Sequence, residues 1–83
     1  MNDISLKTLA FVKALALVLR EARLQAGWSQ NELAWRSGLS QQYIGYLERE
    51  LRYPSAETLK RLAIAFDRDL SEIIGDAEKK SAS

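Results

Sequence analysis

Residues 28–47 read WSQNELAWRSGLSQQYIGYL, and this stretch decides the fold. Ser29 is a good helix N-cap, and Glu32 three residues later completes the sequence of a capping box. Leu33 and Ala34 give the helix that follows, about Gln30 to Ser37, one apolar stripe. Gly38 supplies the residue that most readily takes the positive φ ending a helix. Ser40 caps a second helix, about Gln41 to Arg49, with Ile44 and Leu47 on its inward side. Only Gly38, Leu39 and Ser40 lie between the two helices. That is the short, glycine-containing turn of a helix-turn-helix spanning about residues 30–49.

The outward face of the second helix carries Gln41, Gln42, Gly45, Tyr46 and Arg49. A glutamine amide can accept from and donate to one adenine edge at once, and a glycine lets the backbone approach a partner closely. This is chemistry for reading a major groove rather than for breaking bonds. Exposed polar residues are also the default on any helix, so no single glutamine carries the reading. The turn and both caps in register do.

From about Leu19 to Ile74 the chain resembles the phage repressor and Cro-like helix-turn-helix family, also called the Xre family. The resemblance rests on Gly27-Trp28-Ser29-Gln30 followed by Leu33-Ala34, on the turn Gly38-Leu39-Ser40, on the run Ile44 to Glu50, and on Pro54-Ser55 ahead of a fourth helix. Tyr43-Ile44 followed by Leu47-Glu48-Arg49 is also similar to restriction-modification controller proteins. What this implies is an all-α, compact five-helix bundle of the lambda-repressor-like type with a long first helix.

The 83 residues suit one domain, expected over residues 1–76, with 77–83 as a flexible tail rich in Lys, Ser and Ala. Cysteine and histidine are both absent. The usual Ser-His and Cys-His nucleophile arrangements therefore cannot be built, and the commonest metal ligands are missing. No enzyme activity, metal site, cofactor or small-molecule ligand is expected. The net charge of +1 is not that of a polycation. Specific DNA binding needs a basic face rather than a basic average. Through Tyr53 there are seven basic residues (Lys7, Lys13, Arg20, Arg23, Arg36, Arg49, Arg52) against five acidic ones (Asp3, Glu21, Glu32, Glu48, Glu50), an asymmetry in the right direction. The apolar run Leu9–Leu19 is interrupted by Lys13 and is far shorter than the roughly 20 residues a membrane span needs. No membrane association is expected, and the chain reads as cytoplasmic.

Residues Ser5 to Ala26 contain no Gly or Pro and predict one long first helix closed by Gly27. Its expected inward stripe is Val12, Leu15, Leu19, Ala22 and Ala26. Leu17, Val18 and Leu24 lie off that stripe, so the helix wants more than one partner. Ser55 caps a fourth helix, about Ala56 to Phe66. Asp69 and Glu72 form a second capping box, starting a short fifth helix through Leu70, Ile73 and Ile74 that Gly75 can end.

The resemblance assigns roles residue by residue. Arg23 and Glu48 match positions that form an internal ion pair between the first and third helices. Gln41, Gln42, Gly45 and Tyr46 are the expected base-reading set. Tyr46 either meets a thymine methyl or a phosphate, or covers Trp35 or a neighbouring loop. Gln30, at the start of the second helix, is an expected phosphate contact, as are Arg20, Ser29, Ser40, Arg49, Arg52 and Tyr53. Arg36 is either a further contact or a solubilising charge. Trp28 takes a buried apolar position. Two residues depart from the family pattern. Glu50 stands where the family has glycine, so either it takes a strained conformation or the third helix runs further. Trp35 falls on a usually exposed position.

One such module reads only a few base pairs, so a homodimer on double-stranded DNA, with half-sites about one helical turn apart, is expected. Leu70, Ile73 and Ile74 are the first candidates for its interface, and Leu6, Leu9 and Phe11 on the first helix the second. The function expected is a sequence-specific transcriptional regulator acting on a palindromic operator. The alternative is a protein-interaction module or antitoxin-type partner reusing the same bundle.

Overall fold

Four of the helices begin where a side chain can satisfy a first free N–H group. Ser29, Ser40 and Ser55 accept hydrogen bonds at Oγ from the backbone N–H of Glu32, Tyr43 and Thr58 at 3.0, 3.1 and 3.1 Å. Asn2 does the same for Ser5 at 2.8 Å. The computed structural model describes residues 2–82, and these caps open four of its five helices. They are α1 (Asp3–Gln25), α2 (Gln30–Ser37), α3 (Gln41–Glu48), α4 (Ala56–Ala65) and α5 (Leu70–Ala82). No strand occurs among the described residues, and none of these helices is long and apolar enough to cross a membrane.

The two expected capping boxes are each made by half. Glu32 turns its carboxylate to Arg36 Nε at 2.7 Å instead of back to Ser29. At α5 the return half forms, the Asp69 N–H donating to Glu72 Oε1 at 3.2 Å.

The C-termini of α1, α3 and α4 share one device. The residue after the C-cap takes positive φ, and its own N–H and that of the residue after it bond back to carbonyls of the last turn, which is a Schellman motif. At α1 this residue is Gly27 (φ 77°), with the Trp28 N–H reaching the Arg23 carbonyl at 3.1 Å. At α4 it is Asp67 (φ 53°). At α3 it is Glu50 (φ 63°), with Leu51 N–H on the Tyr46 carbonyl at 2.8 Å and Glu50 N–H on that of Leu47 at 3.2 Å. Of the two outcomes open for Glu50, the chain therefore takes the strained one, and α3 does not run on. Gly38 ends α2 with φ 72°.

The core takes one fully buried large side chain from each of four helices: Leu33, Ile44, Leu62 and Ile73. Leu15, Val18 and Leu19 of α1 and Leu47 of α3 close around them, with Ala34, Ala63 and Ala77 filling the narrow gaps. Val18, expected off the stripe, is buried, whereas Ala26 is exposed. The reason is α5, which packs along α1 and buries a second face of it. Trp28 stacks on Phe66 at 5.5 Å between ring centroids, at the edge of this core.

The expected short α5 and flexible 77–83 tail are corrected. The helix continues through Gly75 to Ala82, and Ser83 lies outside the described residues. Three contacts hold it. Ala77 is fully buried, Lys80 Nζ pairs with Glu21 of α1 at 3.4 Å, and Arg68 donates to Asp76 at 2.7 Å. The Arg68 hydrogen bond also holds the Asp76 carboxyl below its ordinary pKa. A helical glycine costs about 1 kcal/mol relative to alanine, which that packing offsets.

The expected Arg23–Glu48 ion pair forms. Arg23 Nε and Nη2 grip the two carboxylate oxygens at 2.7 and 3.0 Å, and Nη1 donates to the Trp28 carbonyl at 2.8 Å. The side chains are only 10% and 6% exposed. Pairing both oxygens with a planar fork gives directional as well as electrostatic restraint. Glu48→Ala should cost about 3–5 kcal/mol, because it strands a buried guanidinium. Chemical denaturation checks this, and an unchanged midpoint would refute it. Glu50→Gly should stabilise the fold by about 1 kcal/mol, since glycine takes positive φ without the Cβ clash. A lowered melting temperature would mean that the Glu50 side chain makes a compensating interaction.

Candidate nucleic-acid interface

The turn and the caps fix where α3 points. Ile44 and Leu47 are buried beneath it and Glu48 is clamped at its end, so the opposite face must look outward. Gln41 and Gln42 are exposed on that face, with Tyr46 half-buried one turn further on. Gly45 is buried beneath neighbouring side chains. A Cβ there would lie 3.7 Å from Gln30 Oε1 and 3.8 Å from Arg49 Nη2.

The expected base-reading residues are not independent of one another. Gln42 Nε2 donates to the Tyr46 hydroxyl at 2.7 Å. The guanidinium carbons of Arg49 and Arg52 lie 5.7 and 5.8 Å from the Tyr46 ring centroid. Both are within reach of a cation–π attraction. Arg49 Nε also donates to the Gly45 carbonyl at 3.2 Å. Tyr46 therefore lies against the loop after α3. The i, i+4 spacing of Gln42 and Tyr46 was the available signal for their hydrogen bond.

The expected phosphate contacts separate into three groups. Ser29 and Ser40 are exposed, and their hydroxyls, used as acceptors by the caps, remain able to donate. Arg20, Arg49 and Arg52 are exposed and make no ion pair with a carboxylate among the described residues. By contrast, Lys7, Arg23, Arg36, Arg61, Arg68 and Lys80 are all committed to carboxylates. Arg20 shares a surface depression with Glu48 and Glu50.

Gln30 and Tyr53 form the third group. The Gln30 amide donates to Glu48 Oε1 at 3.1 Å, which joins it to the buried pair. Tyr53 is 69% exposed and lines a shallow surface depression together with Ile4, Leu9 and Val12 of α1. Arg36 spans Glu32 and the face of Trp28, its guanidinium 4.4 Å from the ring centroid. Trp35 is 81% exposed.

Of the residues expected at a dimer interface, Ile73 is corrected: it is fully buried in the chain's own core and unavailable to a partner. Leu70 and Ile74 are half-buried against that core. Leu6 and Leu9 are exposed, while Phe11 packs on the core. No group of His, Cys, Asp or Glu that could hold a metal occurs among the described residues.

A helix-turn-helix family model matches residues 19–73, which contains α2 to α4 and their turns. Among solved structures, the restriction-modification controller protein C.AhdI from Aeromonas hydrophila is similar, with 37% identity and a TM-score of 0.72, covering 75% of this chain and 94% of that one. The clp gene regulator ClgR from Corynebacterium glutamicum superposes with a TM-score of 0.80 at 29% identity, over 87% of this chain and 77% of its own. The HTH-type transcriptional regulator SutR of Escherichia coli (strain K12) is 30% identical over 69 residues, 83% of this chain. The chain spans only 39% of that regulator's length. Motif, turn geometry and comparison agree: the chain belongs to the helix-turn-helix family, in its Xre and Cro-like form.

Proposed function

We propose that this chain is a sequence-specific, double-stranded-DNA-binding transcriptional regulator that acts in the cytoplasm as a homodimer on a palindromic operator. The observation that carries the reading is the outward face of α3. Exposed Gln41 and Gln42 open that face, and Arg49 and Arg52, cations without carboxylate partners among the described residues, close it. Amides read base edges and free guanidiniums neutralise phosphates, so one short helix and the loop that follows it bring both kinds of contact together. Gln41, Gln42, Gly45 and Tyr46 make up the base-reading set in this reading, with Gln41 and Gln42 outermost and Tyr46 beside Gln42. Arg20, Ser29, Gln30, Ser40, Arg49, Arg52 and Tyr53 hold the backbone. Gln30 would turn an amide N–H outward while keeping Glu48. Family membership and the regulators among the similar proteins support the reading.

Dimerisation follows from the small site one module can read, since two-fold pairing doubles it. With Ile73 withdrawn into the core, Leu70 and Ile74 are the remaining α5 candidates, and Leu6 and Leu9 the α1 candidates. Trp35 favours a second reading, in which the bundle grips a protein partner through α2. The residue is 81% exposed, and tryptophan, with an apolar body and a polar N–H, is enriched at protein interfaces.

Selection of duplexes from a random pool, at two salt concentrations, tests the proposal. A palindrome with half-sites about one turn apart, bound with a steep salt dependence, is the expected result. No enrichment, with salt-independent or absent duplex binding, would replace it with the protein-partner reading. Gly45→Ala tests the close approach. The new methyl makes only ordinary contacts in the free protein, so the fold should gain about 0.5–1 kcal/mol. Affinity for the selected duplex should nevertheless fall at least about fivefold if the α3 backbone lies close to the bases. A more stable protein with undiminished affinity would remove Gly45 from the interface.

A further inference from the structure

Resting on the DNA-reading proposal, we infer that Tyr46 is a positioning residue: its hydroxyl fixes which way the Gln42 amide faces, and so makes Gln42 prefer adenine over guanine. The argument starts from the amide. A glutamine presenting its carbonyl and one N–H outward matches the N7 acceptor and N6 donor of adenine. Turned so that its nitrogen points into the groove, the same amide presents both N–H groups and suits the O6 and N7 acceptors of guanine. An exposed glutamine on a bare helix face samples both orientations, and its selectivity suffers accordingly.

Here it is not bare. Gln42 Nε2 donates to the Tyr46 hydroxyl at 2.7 Å. That commits one N–H and leaves the carbonyl with the second N–H for a partner. The hydroxyl that accepts this bond still has its own proton to give. Phosphate oxygens accept and cannot donate, so beside a duplex the direction of the relay is set. Tyr46 donates towards the backbone, Gln42 donates to Tyr46, and the adenine-matching edge of Gln42 faces the groove. Hydrogen bonds arranged in series in this way reinforce one another.

The ring is held too. Arg49 and Arg52 both lie within cation–π distance of it, and Arg49 is itself anchored to the Gly45 carbonyl. Tyr46 thereby links an amide that reads a base to two cations suited to phosphates. It does so at the start of the last turn of an eight-residue helix, where an unsupported side chain would be least constrained.

The test uses the full chain and a duplex that the unmodified protein selects from a random pool. The adenine read by Gln42 is identified as the position whose preference Gln42→Ala abolishes, and a partner duplex carries guanine there. Tyr46→Phe keeps the ring and removes only the hydroxyl. It should lower the adenine-over-guanine preference by about 2- to 13-fold, the range of one net hydrogen bond. The melting temperature and the salt slope should stay unchanged, which a merely structural role for Tyr46 would not predict. Adding Tyr46→Phe to Gln42→Ala should change the preference no further. An unaltered preference in Tyr46→Phe would overturn the inference alone, as would additive losses in the double variant, because Tyr46 would then act independently of Gln42. An unmodified protein with no base preference at any position would overturn the DNA-reading proposal and this inference with it.

Discussion

The Arg23–Glu48 pair is the constraint on which the rest of the structure depends. Its three donated hydrogen bonds reach Glu48 at the end of α3 and the Trp28 carbonyl before α2, and the Gln30 amide adds α2 to the same carboxylate. Three helices are therefore referenced to one buried charge. An eight-residue helix such as α3 has little stability of its own in water. Its orientation has to come from outside, and it comes from this pair at one end and from Ile44 and Leu47 underneath.

Short helices also make termini a large fraction of the molecule. Serine caps at α2, α3 and α4 and positive-φ residues after α1, α3 and α4 satisfy groups that would otherwise lie bare in a small core. No buried side-chain polar atom lacks a partner among the described residues. Glu50 and Asp67 carry the one visible expense, since both hold a left-handed conformation with a Cβ present. At Glu50 the Schellman bonds still form, so the need to end α3 there outweighs the local strain.

What was legible in the residues was what is decided locally. The Ser29 and Ser40 caps, the Gly38 turn and the inward Ile44 and Leu47 follow from a few neighbouring positions, and the structure has all of them. The ion pair was legible through the family pattern instead. What escaped was decided by distant chain. Gly75 reads as a helix end only until Ala77 is seen packed in the core and Lys80 tied to Glu21. Ile73 groups with Leu70 and Ile74 as an interface candidate on the fifth helix, yet it plugs the centre of the bundle. Gln30 carries no signal in its own neighbourhood for the partner it finds on α3. Gln42 and Tyr46 stand between these cases. Their spacing allowed the contact, but only side-chain geometry shows that it is made.

The molecule separates two populations of charge by depth. Arg23 and Glu48 are shielded from solvent, whereas Arg20, Arg49 and Arg52 stand in it. Dissolved ions screen exposed charges over distances of about 10 Å at 0.1 M and reach buried pairs far less. Ionic strength therefore acts on the outside of this protein almost as a separate variable from its interior. It can strip the surface of whatever the arginines attract while the frame that aims α3 keeps its shape, so release and refolding need not be coupled.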